Sequence, residues 1–278
     1  MVRLSGAEKV TFDWLNGDVR ALREAYERVR ARPVPPDSIW MKAGGVDVLL
    51  FPGSGEPGAA IVYFHGGGFI VGSPVTHADI AMRLVRHTGL PVYSVAYRLA
   101  PDHTAPAPAE DGIAVIDHLV DRGVEGLIIC GDSAGGAIAL ATEAGLTNRQ
   151  RRHVSCVASF YGAHGLTDTA SIRARGSRAD GTDSACIGRY FELAGREAYS
   201  IETLACASPV PVYLVAAEDD ALRDDSLLLA DSLRRQGRRV RLDRVAGADH
   251  GFLHGDESDV LAEGAMERFA AGVRAGWE

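Results

Sequence analysis

One serine, Ser133, stands among glycines in the stretch "CGDSAGGAIALA", residues 130–141. It follows the apolar, strand-like run "GLIIC" and opens a helix-like run, so it occupies the apex of a predicted strand-to-helix turn. Gly131 and Gly135 permit a sharp turn that exposes the hydroxyl, and the helix N-terminus favours developing negative charge. A chain with 32 glycines also yields such patterns by chance, so a nucleophile is indicated only together with a base and an acid.

A nucleophilic serine needs a general base, and the loop "GADHGFL" offers His250. This loop follows the late strand-like run "VRLDRV". If that run is the last strand of a parallel sheet, its loop lies at the same edge as Ser133. His254 competes for the role four residues further along the chain, and we expect His250 to be the base.

The histidine in turn needs a carboxylate that holds its tautomer and stabilises the imidazolium. The segment "AAEDDALRDD", residues 216–225, follows the strand-like run "PVYLVAA". It offers five acids, which are Glu218, Asp219, Asp220, Asp224 and Asp225. We expect the last two to cap the helix that follows, which leaves the first three as candidates.

Backbone donors for an oxyanion are suggested by the stretch "YFHGGGF", residues 63–69. Its three glycines follow the strand-like run "AIVYF", and glycine lets the backbone approach a substrate closely. A phosphate-binding loop is the alternative interpretation. It is not supported, because neither phosphate-binding glycine motif is present there.

Short apolar, β-branched runs alternate with amphipathic stretches from residue 46 onward. The runs are "VDVLLF", "AIVYF", "PVYSVAY", "GLIIC", "CVASFY", "PVYLVAA" and "VRLDRV". Helical patterns lie near residues 76–87, 108–122, 133–147, 224–236 and 258–275. This alternation predicts a mostly parallel sheet flanked by helices, with the functional residues at the carboxyl ends of its strands.

Two segments lie outside this alternation. Residues 7–30 carry an apolar stripe at helical spacing that stops before the proline-rich "RPVPPDS", and it fits either a helix packed on the body or part of a lid. Residues 163–205 have weak periodicity between two predicted core strands. A segment of this length is typical of an insertion that covers a site, although a surface excursion is the alternative.

Composition limits the classes of protein that fit. The net charge is −8, which argues against nucleic acid as a partner. No apolar run approaches the length of a membrane span, and the N-terminus lacks the apolar region of a signal peptide, so we expect a soluble cytoplasmic protein. The four cysteines lack metal-site spacing and are expected to be free thiols, so no metal site is predicted.

These motifs together closely resemble the hormone-sensitive-lipase-like family of α/β-hydrolase esterases. "HGGGF", "YRLAPDH" with "ED" at 110–111, "GDSAGG", "AAEDDALRDD" and "DHGF" follow its motifs in order, over residues 60–165 and 205–275. The resemblance implies the α/β-hydrolase fold, with Ser133 as nucleophile, Asp220 as acid and His250 as base. It also implies oxyanion donors and substrate contacts: the amides of Gly67, Gly68 and Ala134, and the residues Phe69, Asp132 and Tyr161.

The resemblance further implies a cap over the site, built from residues 1–40 and 163–205, on a catalytic domain of residues 41–162 and 206–278. It implies a serine carboxylesterase for short-chain, acetyl-like esters of small molecules, without a cofactor, and a possible homodimer. Ala96, Ala137 and "FYGAHGLTD" depart from the family pattern and put the substrate pockets in doubt, but not the triad. An N-deacylase or amidase with the same triad is an alternative, and a catalytically retired binding protein is a more remote one.

Overall fold

Eight strands form a single sheet in the computed structural model, which describes residues 11–54, 58–256 and 258–277. The strands are Ile39–Ala43 (β1), Val46–Phe51 (β2), Ala59–Phe64 (β3), Val92–Val95 (β4), Gly126–Asp132 (β5), Val154–Phe160 (β6), Val212–Ala217 (β7) and Val240–Val245 (β8). Their order across the sheet is β1-β2-β4-β3-β5-β6-β7-β8. The pairs β1–β2 and β2–β4 are antiparallel and all other pairs are parallel, which confirms the predicted mostly parallel sheet.

Helices connect the strands and cover both faces of the sheet. They are Val19–Arg30 (α1), Ala78–Thr88 (α2), Ala107–Asp121 (α3), Ala134–Gly145 (α4), Asn148–Arg151 (α5), Ala170–Arg175 (α6), Ser184–Ala194 (α7), Ile201–Leu204 (α8), Arg223–Arg235 (α9) and Val260–Ala275 (α10). A 3-10 turn at Arg196–Tyr199 precedes α8. Helices α2 and α10 pack on one face, and α3, α4 and α9 pack on the other.

The central strands are buried on both faces. In β3, Ile61 and Tyr63 point into the layer shared with α2 and α10, whereas Val62 and Phe64 point into the layer shared with α3 and α4. All four side chains are fully buried. This double burial explains why the middle strands appear in the sequence as continuous apolar runs.

The first helix is shorter than its apolar stripe predicts. Residues 1–10 lie outside the described residues, and α1 begins only at Val19, after a turn at residues 14–17. The side chain of Asp18 accepts a hydrogen bond from the amide of Ala21 at 2.9 Å and so caps the helix. Leu22 and Tyr26 are its buried positions, so one face of the helix is packed, as both the body and the lid interpretation require.

Two further features were not predicted from the sequence. Strand β1 begins at Ile39, inside the range assigned to the cap, and forms the antiparallel edge of the sheet. Within residues 163–205, where periodicity is weak, the chain forms α6, α7, the 3-10 turn and α8. These helices are four to eleven residues long, too short to give a clear helical period.

Among the described helices, none combines the length and the apolar character needed to cross a bilayer.

Candidate active site

Ser133 lies at the turn between β5 and α4, with φ 51° and ψ −121°. A non-glycine residue in this conformation is strained by about 1–3 kcal/mol, which the surrounding structure must offset. The glycines of the motif permit the turn: a Cβ at Gly131 would overlap the carbonyl of Gly135, and a Cβ at Gly135 would overlap the carbonyl of Phe64. The motif is therefore glycine-rich because the turn is pressed against strand β3.

His250 and Asp220 meet Ser133 at the carboxyl edge of the sheet. Asp220 follows β7 and His250 follows β8. The Ser133 Oγ lies 3.0 Å from Nε2 of His250, and Nδ1 of the same ring lies 2.9 Å from Oδ2 of Asp220. Because an ionised carboxylate only accepts hydrogen bonds, Nδ1 carries the proton and Nε2 is free to accept from the serine hydroxyl.

The electrostatics favour a histidine that takes up a proton. Burial by itself lowers the pKa of His250. The charge and hydrogen bond of Asp220, with smaller contributions from Asp132 and Asp249, outweigh this effect and raise the pKa above its ordinary value of 6.5. The Asp220 side chain is fully buried, and its Oδ1 accepts the amide of Leu222 at 2.9 Å, so its orientation is held from both oxygens.

The other candidate acids lie away from the histidine. Glu218 pairs with Arg244, and Asp219 pairs with Arg175 at 2.7 Å. Both pairs are partly exposed to solvent. Of the three acids left open by the sequence, Asp220 alone contacts His250 among the described hydrogen bonds.

The expectation that Asp224 and Asp225 cap the following helix was wrong. Helix α9 begins at Arg223 after Leu222, which makes no side-chain cap. Asp224 accepts the amide of Ser171 at 2.9 Å, and Asp225 accepts the amide of His164 at 2.9 Å. Both acids hold the start of the 163–205 segment against the first turn of α9, a long-range contact that a local capping pattern does not reveal.

His254, the competing base, faces another partner. Its Nδ1 lies 3.2 Å from both carboxylate oxygens of Asp79, in the first turn of α2. Its ring is 4.8 Å from the ring of His77, measured between centroids. The structure therefore brings His250, and not His254, to Ser133.

The glycine loop lies beside Ser133. Gly67 has φ 116°, a conformation that glycine adopts readily and residues with a Cβ do not. Its carbonyl accepts hydrogen bonds from the amides of Ile70 and Val71. Among the described residues, the hydrogen bonds outside helices and strands do not involve the amides of Gly67 or Gly68. Ala134 is the first residue of α4, so its amide lies at the N-terminus of that helix. The loop comes close to the serine at Gly66, where an added Cβ would lie 3.2 Å from the Cβ of Ser133. The assignment of Gly67, Gly68 and Ala134 as oxyanion donors stays a prediction.

Asp132, predicted to contact substrate, is buried behind the turn. Its Oδ1 accepts the Tyr63 hydroxyl at 2.6 Å and the Gly66 amide at 2.9 Å. Burial raises the pKa of this carboxyl, although these hydrogen bonds and the nearby histidines oppose the shift. Asp132 therefore anchors the glycine loop through Oδ1, and its role as a substrate contact stays a prediction.

Phe69 and Tyr161, the other two predicted substrate contacts, are each only 1% exposed. Phe69 stacks on Tyr199 with ring centroids 4.5 Å apart. Tyr161 packs edge-on against His250 at 5.3 Å, and no described residue hydrogen-bonds to its hydroxyl. Tyr161 adjoins the reacting groups, whereas Phe69 belongs to the packing between the glycine loop and the 163–205 segment.

One residue near the site was missed by the sequence analysis. The ring of Tyr190, on α7, lies over Gly68, so that a Cβ added there would come within 3.0 Å of it. Trp14 packs edge-on against this ring at 6.4 Å, and Arg189 donates to the carbonyls of Trp14 and Gly17 at 2.7 Å. No local pattern marks Tyr190, because it reaches the loop only through tertiary packing.

Comparison with known proteins agrees with this geometry. The sequence pattern of a family described as an alpha/beta hydrolase fold matches residues 61–254. An acetyl esterase of Salmonella paratyphi B is 30% identical over 241 residues, which cover 81% of this chain and 74% of the relative.

Solved structures share the whole architecture. A Pyrobaculum calidifontis esterase is 28% identical, covers 96% of this chain and 95% of its own, and superposes with a TM-score of 0.79. A hormone-sensitive lipase from a metagenome library, 23% identical, covers 91% of each chain with a TM-score of 0.81 and shows the same fold. The resemblance inferred from the motifs is confirmed, and the chain belongs to the alpha/beta hydrolase fold family.

Proposed function

We propose that this chain is a serine carboxylesterase that works through an acyl-enzyme intermediate. The observation that carries the proposal is the chain of hydrogen bonds from Asp220 through His250 to Ser133, with spacings of 2.9 and 3.0 Å. Esterase relatives that cover most of the chain support the same conclusion.

The first half of the reaction follows from this geometry. Nε2 of His250 removes the Ser133 proton as Oγ attacks the ester carbonyl. The carbonyl oxygen becomes an oxyanion beside the amides of Gly67, Gly68 and Ala134. His250 then returns the proton to the leaving alcohol oxygen, and the C–O bond breaks to leave an acyl group on Ser133.

The second half repeats these steps with water. The same Nε2 removes a proton from the attacking water, and the tetrahedral intermediate forms again at the same oxyanion position. Its collapse returns the proton to Ser133 Oγ and releases the carboxylic acid. The buried Asp220 carboxylate stabilises the imidazolium in both halves, so each step uses groups of the chain itself.

The proposed substrates are short acyl esters, such as acetates, of small alcohols. A relative carries the name acetyl esterase, and side chains from the proposed cap, residues 1–40 and 163–205, pack closely over the glycine loop. Tyr190 is the test of this size limit. Tyr190→Ala should raise the ratio of kcat/KM for a hexanoate ester to kcat/KM for the acetate by about tenfold or more. A change of this size is expected when a pocket gains room for further methylene groups of the acyl chain. Tyr190→Phe, which keeps the ring, should leave that ratio unchanged.

An N-deacylase or amidase is the competing function, since the same triad serves it. The kcat/KM values for an acetate ester and the matching acetamide with the same leaving group separate the two. A higher value for the ester supports the proposal, and a higher value for the amide would replace it with the amidase function.

A homodimer is also proposed. It rests on the half-exposed Ile39 and Trp40 of edge strand β1, and sedimentation velocity tests it.

The direct test is an intact mass measurement after incubation with a fluorophosphonate. We expect one adduct on the wild-type chain and on Ser54→Ala, which alters an exposed serine, and none on Ser133→Ala. A folded wild-type chain that forms no adduct would overturn the esterase proposal and reopen the interpretation as a retired binding protein. An adduct on Ser133→Ala would move the nucleophile elsewhere.

A further inference from the structure

Three side chains to which the proposed mechanism gives no chemical step lie close together, two of them buried and the third, His254, partly buried. They are His77, directly before α2, Asp132, at the end of β5, and His254, in the loop before α10. One donor atom from each lies within 4.8 Å of the other two. The separation between Nε2 of His77 and Oδ2 of Asp132 is 3.8 Å.

Each histidine of this group is oriented by a hydrogen bond from its other ring nitrogen. Nδ1 of His254 lies 3.2 Å from both oxygens of Asp79, and Nδ1 of His77 lies 2.8 Å from Oγ1 of Thr76. Metal-binding histidines are held in this way, by a carboxylate or another oxygen on the nitrogen that does not bind the metal. The free nitrogen of each ring is Nε2.

The carboxylate of the group is oriented in the same manner. Oδ1 of Asp132 is occupied by the Tyr63 hydroxyl and the Gly66 amide, so Oδ2 is the oxygen turned to His77. Binding at Oδ2 therefore leaves the anchoring of the glycine loop intact. All three donors are thus presented by partners that restrict their rotation.

We propose that His77, Asp132 and His254 form a binding site for one divalent transition-metal ion of the Zn²⁺ type. Two imidazoles and one carboxylate suit such an ion, for which bonds are about 2.0–2.2 Å long. A triangle with sides of at most 4.8 Å contains a point within about 2.8 Å of every corner, so side-chain shifts of about 0.6–0.8 Å close the site.

The charge around the site is compatible with a dication. The Asp132 carboxylate belongs to the group, and the Asp79 carboxylate contacts His254. Of the nearby cations, Arg32 pairs with Asp79 at 3.3 Å, and Arg30 is close enough to His77 to lower its pKa. A bound ion would link helix α2, the end of β5 and the loop that carries His250. Its expected effect is to stabilise the fold against unfolding, because binding to the native state alone raises the melting temperature.

The test is a titration of the chelator-treated full chain with Zn²⁺ by calorimetry, and with Co²⁺ by visible absorption. We expect one ion per chain and a tetrahedral Co²⁺ spectrum. His254→Gln should weaken binding by about 100-fold or more, and Asp79→Asn by about 10–100-fold. His103→Gln, which alters an exposed histidine, should bind as the wild type does.

His250→Ala separates this site from the triad. Binding that survives in His250→Ala and is lost in His254→Gln supports the proposal, and the reverse result assigns the ion to the triad and overturns it. A folded wild-type chain that binds no ion, or binds equally in His254→Gln, also overturns it. Fluorophosphonate labelling of Ser133 shows that the variants that keep His250 are folded. Circular dichroism shows that His250→Ala is folded. A metal titration that fails on labelled, folded protein therefore refutes the metal site and leaves the esterase proposal intact.

Discussion

Replacing Asp220 with asparagine changes one atom of the site and tests the assigned roles directly. The side chain is fully buried, its Oδ1 accepts the Leu222 amide at 2.9 Å, and its Oδ2 lies 2.9 Å from Nδ1 of His250. Asparagine has the same size, so Oδ1 can keep the Leu222 bond while an NH₂ group replaces Oδ2. That group donates, so the bond to His250 forms only if Nδ1 gives up its proton.

The consequence is the wrong histidine tautomer. With Nδ1 accepting, the proton sits on Nε2, which can then no longer take the proton of Ser133. In a comparable triad this change lowers kcat by about 10⁴, equivalent to about 5.5 kcal/mol of lost transition-state stabilisation. We expect a loss of this size for Asp220→Asn.

The assay is hydrolysis of p-nitrophenyl acetate across a pH series. Beyond the loss in kcat, the acidic limb of kcat/KM should move to lower pH, because removal of the Asp220 charge lowers the pKa of His250. Asp219→Asn is the matched control. It alters the adjacent carboxylate, which pairs with Arg175 at the surface, and should keep activity within about twofold of wild type.

Two outcomes would refute this reasoning. A near-wild-type rate in Asp220→Asn would show that another acid orients the base, with Glu218 and Asp219 the next to examine. A large loss in kcat with an unshifted acidic limb would show that Asp220 acts only through the structure of its loop, and not through its charge on His250.

The remaining predictions concern pH, the glycine loop and a buried acid. In the wild-type chain, kcat/KM should fall as pH decreases through the pKa of His250, with a midpoint above 6.5, because the protonated ring is no base; a midpoint below 6.5 would contradict the raised pKa. Gly67→Ala should lower kcat by about 10²–10³, the effect of one lost oxyanion donor, because its Cβ would overlap the Val71 carbonyl. Gly58→Ala, with a similar φ of 106° in open space, is its control, and equal losses would refute the assignment. Burial raises the pKa of Asp225 to about 8 despite hydrogen bonds from two amides, so the folded state binds its proton more tightly than the unfolded state does. The contribution of protonated Asp225 to the free energy of unfolding is therefore fully present below pH 3.8 and is lost as pH rises toward 8. The melting temperature of Asp225→Asn should not show this decrease between pH 3.8 and 8, which thermal melts across that range measure.

Local patterns were sufficient to predict most of the fold. Strands β2 to β8 and the long helices α2, α3, α4, α9 and α10 lie where apolar runs and helical spacing placed them. Strand β1 and the start of α1 were missed. The strand "IWMKA" has only three consecutive apolar residues before a lysine, which is too short a run to predict a strand. The cap by Asp18 begins α1 inside the apolar stripe.

The candidate site was predicted to a similar extent. The motifs singled out Ser133, Asp220 and His250, and the structure brings their side chains within hydrogen-bond distance. The contacts of Asp224 and Asp225 contradict their predicted capping role, and the hydrogen bonds of Asp132 to the glycine loop were not predicted. Each of these acids binds a backbone amide from a distant segment, and a short sequence window does not contain that partner.

The sequence by itself determined which residue types can react and in which order they follow the strands, because turn chemistry and periodicity depend on near neighbours. Tertiary structure alone decided what surrounds them. It placed Tyr190 over Gly68, bound Asp132 to the amide of Gly66, and brought His77 and His254 close to that same carboxylate. These contacts join segments far apart in the chain, and they exist only once the sheet and both helical layers are packed together.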